Sequence, residues 1–313
     1  MSAARPSSRG LAAVCAAFTI WGLFPVYFHP LSVVPAIQVV AHRFVWSCLF
    51  LMLWMFARGE LGRLATIFAT PALLSRLALT AFLISTNWLV YVWAVTHGHI
   101  VETSLGYYIN PLVNVALGVF VLRERLNGAQ WTAIALAALA VTYLALLAGR
   151  PPWIAFTVAL CFSLYGLLRK VMSVDALPGL ATETLLVTPL ALAYLIGCET
   201  HGSAVFTAAG APVALLLIGS GLVTAVPLFL FAHGARLIAY STVGVLQYLA
   251  PCLQLASGVL LYHESYTRAM ALGYAVLWMG LLIFAADGFF RARRAVVSGA
   301  AAAAPAAAME RDS

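Results

Sequence analysis

Long apolar runs separated by short polar connections dominate this chain. A membrane-spanning helix needs about 20 mostly apolar residues, and ten stretches of that kind follow one another along the 313 residues. No connection between them is long enough to hold a soluble domain. The pattern therefore predicts an all-α membrane protein with ten transmembrane helices. The predicted spans are 10–29, 35–57, 72–96, 102–122, 128–148, 152–172, 178–198, 211–234, 239–262 and 267–289.

The second half of the chain repeats the first at an offset of about 140 residues. The stretch PLVNVALGVFVLRE at 111–124 returns as PCLQLASGVLLYHE at 251–264, with proline, glycine and glutamate at the same spacing. Residues 10–148 and 151–289 are therefore predicted to be two repeats of five helices each. Because five is an odd number, the second repeat should be inverted in the membrane. Transporters built in this way bind their substrate where the halves meet.

Composition agrees with a membrane location. Hydrophobic residues make up 64% of the chain and charged residues 9%, whereas soluble domains carry roughly 25% charged residues. The net charge of +7 comes from residues scattered through the short connections, which set topology and do not indicate nucleic-acid binding. Their distribution predicts that both termini face the cytoplasm. The alanine-rich tail, 298–313, is predicted to be disordered.

Signatures of common enzymes and metal sites are lacking in the sequence. The one lysine, Lys170, does not stand in a phosphate-binding loop, and no G-x-S-x-G motif occurs. The five cysteines show no metal-ligand spacing. His97 and His99 could hold a metal ion, but they lack a third ligand. We therefore expect no metal, no cofactor and no enzymatic activity.

Two residues of opposite charge lie well inside predicted spans. Arg43 in the second span and Glu183 in the seventh are separated by the repeat offset. A charged side chain near the centre of a membrane helix costs about 2.5–3.5 kcal/mol and normally faces the interior or a wet cavity with a partner. We expect the two side chains to meet where the repeats meet, directly, through water or through substrate. The pair could be a static ion pair that fixes packing, or part of a substrate or coupling-ion site.

Other polar and aromatic residues inside the spans complete the candidate substrate site. Such residues line cavities in membrane proteins, although some only bridge helices. His42 points about 100° away from Arg43 around the helix, so the two cannot face the same way. Besides Arg43 and Glu183, the candidates are Trp21, His42, Asn87, Trp88, Tyr91, Tyr107, Tyr108, Asn110, Tyr165, Gln247 and Tyr248.

Several short motifs accompany the repeat. They are Trp21-Gly22, Ala41-His42-Arg43, Asn87-Trp88, Ile109-Asn110-Pro111, Tyr165-Gly166-Leu167-x-Arg169-Lys170, Glu183-Thr184 and Thr224-x-Val226-Pro227. With the repeat they resemble the EamA family of the drug/metabolite transporter superfamily, and more closely its RarD branch. The resemblance covers about residues 10–290. It implies a bacterial inner-membrane transporter whose central cavity is lined mainly by the first four helices of each half.

The resemblance and the charged residues together lead to an expected function. We expect a secondary transporter that exports a small polar or zwitterionic, amino-acid-like metabolite across the lipid bilayer. Arg43 would meet a substrate carboxylate, and Glu183 would meet an ammonium group or a proton. Efflux of amphiphilic drugs is one alternative. A non-transporting membrane scaffold is another, suggested by small residues such as Ala133 and Gly280 on spans 5 and 10. We expect no nucleic-acid partner, and a homodimer stays open.

Overall fold

The computed structural model describes residues 8–309 apart from 123–125, 236, 239–242 and 244–245. Side chains are described as far as Gly288, without those of residues 115, 118–122, 170 and 232. Glu124, which ends the first repeat motif, therefore lies outside the described residues. The described part of the chain forms helices and contains no strand.

A described helix overlaps each predicted span. The helices are α1 (Ser8–Gly22), α2 (Phe24–Phe28), α3 (Ala36–Ala57), α4 (Gly62–Phe68), α5 (Pro71–Thr96), α6 (Ile100–Leu122), α7 (Gly128–Ala148), α8 (Trp153–Val171), α9 (Ala176–Thr200), α10 (Val205–Ala208), α11 (Ala211–Ala235), α12 (Leu249–Ala256) and α13 (Arg268–Met309). A 3-10 turn at His29–Val33 follows α2, and a π-helical turn at Ser257–Leu261 follows α12. The predicted disorder of the tail, 298–313, stays a prediction.

Length and composition identify membrane spans among these helices. Within the described residues, α3, α5, α7, α9, α11 and the Arg268–Gly288 part of α13 are long and apolar enough to cross a membrane. A seventh span results if α1 and Phe24–Val33, which are bent by 45°, form one unit. The described part of the chain is therefore helical and contains six or seven candidate membrane spans. The ten-span count and the inverted repeats stay predictions.

Local sequence signals explain where helices begin and end. Pro71 opens α5, where the missing N–H of proline costs no helical hydrogen bond. Asn127 caps α7 by accepting a hydrogen bond from the N–H of Gln130 at 2.8 Å, and the Gln130 side chain bonds back to the Asn127 N–H. Gly149 ends the same helix in the left-handed region at φ 66°, which favours glycine.

Packing between the two halves follows a symmetric pattern. Helices α1 and α3 of the first half pack on α11 of the second half, and helices α8 and α9 of the second half pack on α5 of the first half. Likewise α6 packs on α8 as α12 packs on α1. Exchanging the two halves maps these contacts onto one another, as two repeats related by a two-fold axis require. The packing supports the predicted repeat but leaves the orientation of its axis in the membrane as a prediction.

Small residues on α7 and α13 are used for packing within the chain. A Cβ added at Gly280 would lie 3.0 Å from the carbonyl oxygen of Ala133, and one at Gly273 would lie 2.6 Å from Leu144. Small residues let two membrane helices approach closely in this way. The small residues on α7 and α13, which suggested a membrane scaffold, therefore pack on each other within the same chain.

The glutamate that ends the second repeat motif caps a helix of the first half. Glu264 accepts hydrogen bonds from the N–H groups of Ile100 and Val101 at 2.6 and 2.7 Å. These N–H groups belong to the first turn of α6 and have no partner within the helix. A negative charge is also favoured at a helix N-terminus. The Glu264 carboxylate thus connects the second half to the N-terminus of α6 through two hydrogen bonds.

Candidate functional site

Arg43 lies buried where α3, α5 and α11 meet. Only 2% of the residue is exposed. Its Nε donates a hydrogen bond to Oγ1 of Thr224 on α11 at 2.7 Å. The guanidinium carbon lies 3.8 Å from the centre of the Trp88 ring on α5, which is a cation–π contact. Arg43 therefore touches helices of both halves.

Aromatic rings enclose the Arg43 guanidinium. Its central carbon lies 5.2 Å from the ring centre of Phe24 and 5.3 Å from that of Phe28. The ring of Phe44, the next residue on α3, packs on Trp88 at 4.9 Å between ring centres. These rings exclude water from around the charge, so that electrostatic interactions there are stronger than in solution.

The hydrogen-bonding capacity of this group of side chains is not fully used. Arg43 Nη1 is buried and has no hydrogen-bond partner among the described residues. The hydroxyl of Tyr91, which interacts electrostatically with Arg43, is also buried and unpartnered there. The described ion pairs do not include Arg43. Two hydrogen-bond donors and an uncompensated positive charge are thus available to an anionic group.

Glu183 forms an ion pair with Arg169 and not with Arg43. The residue is 0% exposed, and its Oε1 lies 3.8 Å from Nη1 of Arg169. Oε1 also accepts a hydrogen bond from the Thr80 hydroxyl at 2.7 Å. Oε2 accepts one from the Tyr165 hydroxyl at 3.2 Å. The carboxylate therefore has three partners on α5 and α8.

Of the three predicted forms of contact between Arg43 and Glu183, the direct ion pair is wrong. The two side chains contact α5 at Trp88 and Thr80 respectively, positions about 12 Å apart at 1.5 Å per residue. A two-fold axis places equivalent residues at equal distances from itself, which need not bring them together. Although α3 and α9 pack on each other, Arg43 bonds to Thr224 and Glu183 pairs with Arg169.

Arg169 reaches from the end of α8 to the start of α9. Its Nη2 donates hydrogen bonds to the carbonyl oxygens of Asp175 and Ala176 at 3.2 and 3.3 Å. The side chain is 14% exposed. A Cβ added at Gly179 would overlap the guanidinium. Gly179 therefore leaves the space in which Arg169 approaches Glu183.

A row of aromatic rings connects the surroundings of the two charges. Tyr91 packs on Tyr107 at 5.8 Å between ring centres, Tyr107 on Phe162 at 6.2 Å, and Phe162 on Tyr165 at 6.2 Å. Tyr91 and Tyr107 interact electrostatically with Arg43, whereas Tyr165 bonds to Glu183. Tyr91, Tyr107 and Tyr165 thus form part of a continuous row of rings between the two charged groups.

Two predicted site residues bridge helices. Asn87 is buried on α5, and its Nδ2 donates a hydrogen bond to the carbonyl oxygen of Val158 on α8 at 2.9 Å. Asn110 on α6 accepts a hydrogen bond from the hydroxyl of Ser163 on α8. Both amides therefore form hydrogen bonds that bridge packed helices, which is the structural role expected of some intramembrane polar residues.

The remaining predicted residues contact neither charged group. Tyr108 donates a hydrogen bond to Sγ of Cys252 at 2.9 Å. The ring of Trp21 packs on Phe18 at 5.4 Å, and His42 stacks on Phe206 at 4.8 Å between ring centres. Gln247 and Tyr248 lie half-buried just before α12. A substrate-binding role for these residues stays a prediction.

Sequence reasoning missed several residues of the two charged clusters. Thr224 and Arg169 stand in the short motifs, and those motifs were the available signal. The sequence indicates for Arg169 only a charge that sets topology, although a long arginine side chain can reach well beyond its own backbone position. Thr80 gave no signal, since a threonine in an apolar helix usually bonds its own backbone.

Comparison with known proteins gives consistent similarities. Residues 8–146 match the EamA-like transporter family. The chain is 41% identical to the protein RarD of Streptomyces exfoliatus, covering 94% of this chain and 93% of that one. It is 37% identical to the protein RarD of Escherichia coli, over 93% and 98% of the two chains. An uncharacterised transporter of Pseudomonas aeruginosa is 41% identical, over 91% and 96%. One solved crystal structure, 18% identical, is similar in fold with a TM-score of 0.57, covering 89% of this chain and 98% of the other.

Proposed function

The chain belongs to the RarD-type branch of the EamA-like transporter family, and on that premise we propose that it exports a small, carboxylate-bearing, amino-acid-like metabolite as a secondary transporter. Family membership makes it a multi-pass membrane transporter and implies a non-enzymatic role. The proposed location is the bacterial inner membrane with both termini in the cytoplasm. The distribution of arginines between the connections supports that orientation.

The observation that carries this proposal is the incomplete coordination of Arg43. A buried guanidinium with an unpartnered nitrogen and no carboxylate among its described partners is costly to hold in a membrane protein. A substrate carboxylate would supply both the missing charge and the missing acceptor. Because Arg43 contacts Trp88 of the first half and Thr224 of the second, that carboxylate would bind at the junction that must rearrange during transport.

The surroundings of Arg43 also suit the rest of an amino-acid-like molecule. The Tyr91 hydroxyl can donate a second hydrogen bond to the carboxylate. An ammonium group on the neighbouring carbon can face the rings of Tyr91 and Tyr107, which attract cations. Glu183 cannot hold that ammonium at the same time, since its level on α5 is about 12 Å from that of Arg43 and a small amino acid is much shorter.

Ligand-induced stabilisation of the purified transporter tests the proposal. Thermal unfolding in detergent would be measured with a panel of amino acids, each compared with its methyl ester, which lacks the carboxylate charge. A ligand that binds only the folded protein raises the melting temperature. We expect stabilisation by at least one free acid and much less by its ester. Counterflow of that compound in proteoliposomes then tests transport.

A matched pair of arginine variants decides whether Arg43 is responsible. Arg43→Gln removes the charge, and losing one partner of a buried charged pair costs about 2–5 kcal/mol, or at least 30-fold in Kd. Arg76→Gln changes an exposed arginine and serves as the control. An unchanged Kd in a folded Arg43→Gln protein would refute carboxylate binding by Arg43.

Efflux of amphiphilic compounds is a second candidate function, because aromatic rings surround Arg43. Phe24, Phe28 and Trp88 present apolar ring surface around Arg43. Adding neutral amphiphilic antibiotics to the same panel separates the two functions. Binding of such compounds with equal affinity to the wild type and to Arg43→Gln would favour amphiphile efflux.

A further inference from the structure

We propose that Glu183 is a proton-binding site, separate from the Arg43 site, that couples export to proton entry, with Arg169 as the built-in counter-ion that expels the proton. This inference rests on the proposed transport function but concerns a different group of side chains. It follows from the way in which the Glu183 carboxylate is surrounded and from the way in which Arg169 is held.

The surroundings of the Glu183 side chain can form hydrogen bonds with both its protonated and its deprotonated form. Glu183 is fully buried and accepts hydrogen bonds from the hydroxyls of Thr80 and Tyr165 at 2.7 and 3.2 Å. Hydroxyl groups can turn and serve as acceptors as well as donors. The Thr80 or Tyr165 oxygen can therefore accept a hydrogen bond from the protonated carboxyl without any movement of the helices.

Arg169 compensates the charge of Glu183 only incompletely. The separation of 3.8 Å between Nη1 and Oε1 is beyond hydrogen-bond distance, and Nη1 has no hydrogen-bond partner among the described residues. The carbonyl oxygens of Asp175 and Ala176 hold Nη2 at the start of α9. Arg169 thus attracts the carboxylate charge without sequestering it, and a proton can compete for the same oxygen.

The other charged groups in this region are engaged elsewhere. Among the described residues, the titratable or charged side chains that interact with Glu183 are Arg169 and Tyr165, both on α8. The neighbouring helix α5 contributes only the uncharged Thr80. The side chain of Asp175 is bound to Arg63 at 3.0 Å. Helix α3 also packs on α9, but its His42 and Arg43 contact Phe206 and Thr224 instead. Among the described side chains, Arg169 is therefore the charge that faces Glu183.

The position of the ion pair gives the transfer a direction. Glu183 lies about 10 Å into α9 from Ala176, and Arg169 extends from that buried level to the exposed start of the helix. In the predicted topology this is the cytoplasmic end. When the halves separate on the outer side, Glu183 would take up one proton from outside, forming an O–H bond, as the substrate leaves. When they separate on the cytoplasmic side, the positive charge of Arg169 favours the carboxylate, the O–H bond breaks and the proton leaves to the cytoplasm, so that one substrate molecule is exported for each proton that enters.

Infrared difference spectroscopy tests the proton site without any substrate. Acidifying the purified transporter should produce the carbonyl band of a protonated carboxylic acid. We expect Glu183→Gln to lack one component of that band, and the component to persist in Arg43→Gln. Glu199→Gln is the matched control, because Glu199 is exposed on the same helix. Identical band intensity in the wild type and Glu183→Gln would overturn the proposal, whatever becomes of the Arg43 site.

A transport assay tests the coupling itself. Proteoliposomes would be loaded with a mixture of proteinogenic amino acids and the pH dye pyranine, and efflux would be started by dilution. We expect the lumen of wild-type vesicles to acidify during efflux. Glu183→Gln should retain counterflow at equal pH and lose the acidification. Undiminished acidification in that variant would overturn the proposal, as would a Glu183-dependent response to a Na⁺ gradient at constant pH.

Tyr165→Phe keeps the proposal testable if Glu183→Gln does not fold. This change removes one hydrogen bond to the carboxylate and keeps the ring that packs on Phe162. A carboxylate with fewer donors binds a proton more readily. The infrared band should therefore appear at a higher pH in Tyr165→Phe than in the wild type. An unchanged midpoint would contradict the assignment of the band to Glu183.

Discussion

Replacing Glu264 by alanine should weaken the junction between the two halves of the protein. The substitution leaves the N–H groups of Ile100 and Val101, now bonded at 2.6 and 2.7 Å, without their acceptor. It also removes a negative charge from the N-terminus of α6. Because these N–H groups belong to the first helical turn, the helix itself cannot supply another acceptor.

The expected loss follows from the number and kind of bonds. A hydrogen bond to a charged group contributes about 1.5–3 kcal/mol, and the charge at a helix end about 0.3–1 kcal/mol. Glu264 is only half-buried, so water can replace part of what is lost. We therefore expect Glu264→Ala to lower the free energy of unfolding by about 2 kcal/mol. Glu264→Gln keeps one acceptor oxygen and should lose about 1 kcal/mol.

Stepwise addition of SDS to the protein in dodecylmaltoside, followed by circular dichroism, measures these losses. Glu199→Ala provides the control, since an exposed glutamate should contribute within about 0.5 kcal/mol. Stability of Glu264→Ala equal to that of Glu199→Ala would refute the capping role. The expected order of stability is Glu199→Ala, then Glu264→Gln, then Glu264→Ala.

Three further predictions concern packing and topology. Asn87→Ala, which removes the bond to the Val158 carbonyl, should cost about 1 kcal/mol in the same assay, and a neutral result would contradict its bridging role. Gly280→Leu should lower the free energy of unfolding by about 1–3 kcal/mol, because the larger side chain overpacks the contact between α7 and α13. An unchanged unfolding curve would mean that the two helices separate there at no cost. In a cysteine-free background, Gly202→Cys should react with an impermeant maleimide added to intact cells and Gly59→Cys only after permeabilisation. The reverse result would invert the predicted topology.

The sequence predicted helix positions well because the bilayer imposes a simple length and hydropathy requirement. Nearly every predicted span begins within a few residues of a described helix, as for 35–57 and α3. The short motifs likewise identified the family, and Arg43 and Glu183 are buried as expected. Partner choice was not predictable in the same way, since it depends on the rotation of helices and the reach of side chains. Arg169, placed at a helix end by its charge, extends inward to Glu183.

Although Arg43 and Glu183 do not pair directly, their hydrogen bonds follow the symmetry of the predicted repeat. Arg43 on α3 bonds to Thr224 on α11, and Glu183 on α9 bonds to Thr80 on α5. These two helix pairs are exchanged when the halves are exchanged, and the offset matches Thr80 with Ser220, one helical turn from Thr224.

Positions separated by the predicted repeat offset thus carry opposite charges at two separate junctions. In the proposed transport cycle, a rocking motion of one half against the other would strain both junctions together, because each hydrogen bond joins the halves. Binding of an anion at Arg43 and of a proton at Glu183 would each alter one junction. Each proposed ligand would therefore change the affinity for the other through the movement of the halves.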